Sequence, residues 1–64
     1  MENRRTLEVA VELLSHDRVQ VLESLASIVS EEDWITLAYA ANELRVIDVK
    51  LELLTKLLEK MPGN

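Results

Sequence analysis

Leu37, Ala40, Leu44, Ile47, Leu51, Leu54, Leu58 and Met61 recur at alternating steps of three and four residues. That spacing is a heptad seam, the signature of helices that pack along their length. No Gly or Pro interrupts it before Pro62. The chain is therefore held to a long packing helix, and such a helix needs a surface to pack on.

The first half carries a matching seam: Leu7, Val11, Leu14, Arg18, Val21, Leu25 and Ile28, with one charged member. The only Gly and the only Pro lie in the last three residues, which leaves little room for strands or tight turns. The chain reads as all-α. Ser30 is the expected helix cap. Glu31, Glu32 and Asp33 follow it at the positive end of the helix dipole, and Val29 and Trp34 stand at the spacing of a hydrophobic staple. These signals predict one domain over 1–64. It has a helix over about 3–29, a turn near 30, a helix over about 31–61 and a short tail at 62–64. Ser15 or Asp17 offers a second helix start, since Asp17 and Gln20 have capping-box spacing, but without Gly or Pro there one helix bent near His16 is expected.

Folding the chain back at Ser30 brings the seams together. Leu25 then meets Leu37, Val21 meets Ala40, Leu14 meets Ile47, Val11 meets Leu51 and Leu7 meets Leu54. Arg18 falls opposite Leu44 and is expected to snorkel toward Glu43. Beside the seams, Val19, Leu22, Ala26 and Val29 form a second apolar set on the first helix. Val46, Val49, Leu53 and Leu57 form another on the second.

Composition turns this surplus into an argument for association. Of 64 residues, 48% are hydrophobic, and there is no cysteine to supply a disulfide or thiolate metal site. A lone hairpin shelters one face per helix and cannot cover so many aliphatic side chains. Chains this short are marginal unless a staple or a second subunit completes the core. A homodimeric four-helix bundle is the expected solution.

The formal charge of −5 and a pI near 4.7 argue against nucleic acid and anionic membrane as partners, since both need a cationic face. No uncharged stretch approaches the roughly 20 residues of a membrane span. The first residues lack the apolar core of a signal peptide. A soluble, cytoplasmic protein is expected.

A second arrangement competes over the later residues. Thr36-Leu37-Ala38-Tyr39-Ala40-Ala41-Asn42-Glu43-Leu44-Arg45-Val46 resembles the second helix and turn of winged-helix regulators. The resemblance implies a three-helix core, with Asp17–Val29 as first helix and Val49–Lys60 as recognition helix. Three departures place it second. Arg45 stands where the motif has a turn Gly, and Ile47 stands where it has a polar cap. The recognition helix sets Asp48, Glu52 and Glu59 against Lys50, Lys56 and Lys60, a poor balance for phosphate binding. Short stacked helices of the HEAT-like kind rank last, because the two halves show no self-similarity and two repeats lack caps.

Few residues offer chemistry. Glu8, Glu12 and His16 lie four apart and could share a divalent ion, but Leu7, Val11 and Leu14 define the inner face, which leaves that trio outside. The Glu-x-x-His pair of di-iron bundles is missing, because Leu13 precedes His16 by three. Ser15, His16 and Asp17 are consecutive, so on a helix they diverge and cannot form a triad. No cofactor, metal or catalytic residue is implied, and an enzyme is not expected. Arg4 and Arg5, with Lys56 and Lys60, would form a small basic spot at the open end of the hairpin. Trp34 and Tyr39, the only aromatics, are the candidate contacts for a partner protein. The reading is an adaptor or small regulator that works by association. Its seam is Leu7, Val11, Leu14, Val21, Leu25, Leu37, Leu44, Ile47, Leu51, Leu54 and Leu58. In size and plan it is similar to small dimeric hairpin proteins of the Rop type, on architecture alone.

Overall fold

The computed structural model describes residues 2–61, with side chains from residue 3. Two α-helices fill it: α1 over Glu2–Ser30 and α2 over Trp34–Lys60. They pack antiparallel as a rod of 48 × 15 × 12 Å, the length expected of a helix near 29 residues at about 1.5 Å per residue. The expected tail at 62–64 lies outside the described residues.

Burial follows the heptads. Leu7, Val11, Leu14, Arg18, Val21, Leu25 and Ile28 are half-buried on α1. Leu37, Ala40, Leu44, Leu51, Leu54, Leu58 and Met61 are half-buried along α2 and its C-cap, with Ile47 buried at 5% exposure. Ile47 is the one buried residue among those described. An antiparallel pair of helices can shield each seam only from one side, so its ridge stays open at the flanks.

The α-helix is continuous across Leu44–Asp48, which overturns the helix-turn-helix alternative. Arg45 sits mid-helix, where no turn Gly is needed. Ile47 is the core of the hairpin and not a cap. α1 likewise runs unbroken through Ser15, His16 and Asp17. Asp17 therefore does not begin a new helix there.

The reversal between the helices differs from the expected one. α1 continues through Ser30, so Ser30 ends a helix and does not cap the next. The Asp33 N–H donates to the Ile28 carbonyl at 3.2 Å, and the Glu32 N–H donates to the Val29 carbonyl at 3.0 Å. This pair of bonds is a Schellman motif, which satisfies carbonyls that the helix end leaves free. The motif requires a left-handed residue at its last step, and Glu32 takes that place with φ 57°. Gly is the usual occupant.

Asp33, delivered by that motif, caps α2. Its carboxylate accepts from the Thr36 N–H at 3.1 Å and from the Thr36 hydroxyl at 2.6 Å. Trp34 is thus the first residue of α2, out of step with the expected staple to Val29. At the other end Met61 is extended (φ −76°, ψ 140°), and its N–H donates to the Leu58 carbonyl. Pro62 imposes that geometry on the residue before it.

The cap carries a pH signature. Two hydrogen bonds to the ionised carboxylate, first from the Thr36 hydroxyl and then from its N–H, hold the Asp33 pKa below 3.8. A depressed carboxylate pKa stabilises the fold above the unfolded value, and the contribution fades as pH falls through the folded value. Asp33→Ala should lower the thermal midpoint at neutral pH by roughly a few degrees. The gap from the parent protein should narrow as pH is taken below 3.8. A gap that stays constant into strong acid would contradict this role.

Candidate functional site

What this hairpin offers a partner is its surface. Leu13, Val19, Leu22, Val29, Trp34, Ile35, Tyr39, Val46, Val49, Leu53 and Leu57 are all exposed. Every large apolar member of the two extra sets is among them, and Ala26 is exposed as well.

Helical geometry sorts these residues. At about 100° per residue, Val19, Leu22, Ala26 and Val29 flank the α1 seam on its clockwise side, viewed from the α1 N-terminus. Tyr39, Val46, Leu53 and Leu57 flank the α2 seam on the side that an antiparallel partner turns the opposite way. The two stripes therefore lie on opposite broad sides of the hairpin. Leu13 of α1 lies on the α2 stripe's side. The α1 stripe occupies the loop half only, because Glu8, Glu12 and Ser15 take over toward the open end. The α2 stripe runs from Ile35 to Leu57, nearly the whole helix.

Trp34 and Tyr39 are both well exposed but do not converge. Five residues apart on one helix, they point about 140° away from each other. Tyr39 belongs to the α2 stripe at 74% exposure, beside Ile35 at 73%. Ile35 escaped the sequence reading, although its i, i+4 spacing to Tyr39 is the signal that assigns it to this face.

The Arg18 guanidinium binds Asp48, Nε to Oδ1 at 2.6 Å, rather than Glu43. The direction of helix side chains explains the change. Each Cα–Cβ bond tilts toward its helix N-terminus. Arg18 therefore leans toward the open end of the hairpin, while Asp48 leans back from it. Glu43 leans toward the loop and away from Arg18. Both partners are about half exposed, so the pair sets register more than it adds stability.

The remaining charges are dispersed. Glu8 takes ion pairs from Arg4 at 3.5 Å and Arg5 at 3.9 Å, and Lys56 pairs with Glu52 at 3.7 Å. The basic spot at the open end is thereby largely neutralised. Glu12 and His16 are exposed. Among the described residues no group of three His, Cys, Asp or Glu is placed to hold a metal ion. No helix is long and apolar enough to cross a membrane. One open groove is lined by Ala41, Leu44, Arg45, Asp48, Val49 and Glu52, and another by Leu53, Lys56, Leu57 and Lys60. Both are troughs between ridges of side chains on α2. They suit the packing of another helix, whose ridges seat in such grooves. No family model, curated protein or solved structure matches the chain.

Proposed function

We propose that this chain is a non-enzymatic association module: two hairpins join into a four-helix homodimer that works as an adaptor or small regulator through protein contacts. The observation that carries this reading is uncovered surface. The chain exposes 5143 Å². A folded monomer of 7.3 kDa exposes about 4,200 Å². The difference, about 1,000 Å², is close to the roughly 800 Å² that each partner contributes to a standard interface. The two stripes put large aliphatic side chains on that surface.

Energetics point the same way. One buried side chain among the described residues is a small core for a 64-residue chain. Burying one apolar stripe against a second copy would add roughly 25 cal/mol per Å² of apolar area. The net charge of −5 disfavours nucleic acid as the partner. An acidic, cysteine-free chain also suits a reducing cytoplasmic setting. Further protein partners belong to the same proposal, and Trp34 is the exposed aromatic that lies off the α2 stripe.

Coupled folding and association has a simple readout. If the native state is a dimer, a hundredfold dilution should lower the thermal midpoint by roughly 10 °C. A midpoint that does not move over that range would contradict self-association.

A further inference from the structure

We infer that the second copy docks along α2, antiparallel to it, with the two-fold axis at Val46. The inference rests on the self-association reading and names the surface through which it operates. Tyr39, Val46 and Leu53 recur every seven residues on the face of α2 turned away from α1, with Ile35, Val49 and Leu57 beside them. They form a second heptad ridge on a helix whose first ridge already packs in the hairpin. A helix with two such ridges is built to lie between two neighbours.

Charge sets the direction and register. Glu43 and Lys50 border the ridge on one side, seven residues apart. Both are exposed, and among the described residues neither takes part in an ion pair. In an antiparallel pair about Val46, Tyr39 meets the partner's Leu53, and Val46 meets the partner's Val46. On the flank Glu43 comes within one residue of level with the partner's Lys50, and Lys50 with the partner's Glu43. Every charged residue on this face then finds an opposite charge or open solvent.

The alternatives fail on the same residues. A slip of one heptad in one direction sets Lys50 against the partner's Lys50. A slip in the other direction sets Glu43 against the partner's Glu43. A parallel copy puts Glu43 and Lys50 of the two chains on opposite flanks, so neither ion pair forms. Repulsion against wrong arrangements, added to apolar contact in the right one, is how paired helices choose a partner and a register. The α1 stripe offers no equivalent pair: Val19, Leu22, Ala26 and Val29 cover half a helix and lack a complementary charge set. In this assembly the two α2 helices form the centre and the two α1 helices lie outside.

Charge reversal tests the proposal, with mass measured by sedimentation. Glu43→Lys and Lys50→Glu each create two like-charge contacts in a homodimer, so each variant alone should dimerise at least about tenfold more weakly than the parent. Mixed in equal amounts, the two variants restore both ion pairs, and a one-to-one heterodimer of near-parental affinity should form. That recovery does not depend on either variant being stable by itself. If the parent is a dimer and both single variants dimerise as it does, the α2 face is not the interface, although self-association stands. If the parent is a folded monomer, the self-association reading falls, and this one with it.

Discussion

Replacing Ile47 with Asp should abolish the hairpin. Ile47 is the residue most fully withdrawn from water, at 5% exposure, and it stands level with Leu14 near the middle of the seam. The substitution removes an aliphatic side chain worth roughly 1.5–3 kcal/mol of burial. It also leaves a carboxylate in a seam whose one basic side chain, Arg18, is already paired with Asp48, a further cost of about the same size or more. Domains of this size hold only about 3–10 kcal/mol in total. Circular dichroism should show loss of most helix at room temperature. Ile47→Val should retain the fold with a loss of roughly 0.5–1.5 kcal/mol. An unchanged midpoint for the Asp variant would mean that residue 47 does not sit where the helices meet.

The second large effect separates folding from association. Leu53 is 57% exposed and lies on the outer ridge of α2, so Leu53→Glu spares the seam inside one hairpin. In the proposed dimer it occurs twice, each time against the partner's Tyr39. Losing two buried leucines forfeits about 3 kcal/mol or more, which weakens association at least about a hundredfold. Leu22→Glu, on the opposite side of the hairpin, should leave the dimer intact. Reversal of these two results, with Leu22→Glu dissociating the pair, would move the interface to α1. Equal tolerance of both would leave each stripe without a role in pairing.

These expectations draw on a fold that was largely written in the spacing of its apolar residues. The seam residues from Leu7 to Ile28 and from Leu37 to Met61 are all sheltered in the hairpin, because two heptads offer one geometry for mutual burial; Arg4, Glu8, Val9 and Ala10 are half-buried beside them. The turn was less legible. Ser, Asp and Asn cap helices about equally well, so Ser30 and Asp33 compete on propensity alone. The Schellman bonds decide between them by ending α1 at Ser30 and starting α2 at Trp34, three residues later than expected, with Glu32 held left-handed without the help of a glycine. Thr36, which offers Asp33 both an N–H and a hydroxyl, was the local signal for the true cap.

The partner of Arg18 was missed for a different reason. Index arithmetic locates the opposing backbone, and Glu43 is the nearer acid by that count. Side-chain tilt then favours Asp48, one turn toward the open end. The candidate surface was partly legible in the same way. Periodicity identified the extra apolar sets, and their exposure follows from the hairpin. Their placement on opposite sides emerges only once the direction of α2 relative to α1 is known. Ile35 joins the α2 face for that reason, and Trp34 leaves it.

Sedimentation equilibrium of the intact chain, from high micromolar down to nanomolar concentration, tests self-association most directly. The account predicts twice the 7.3 kDa chain mass over the upper range, with helix and mass lost together on dilution. A helical, folded species at the mass of one chain throughout would contradict it.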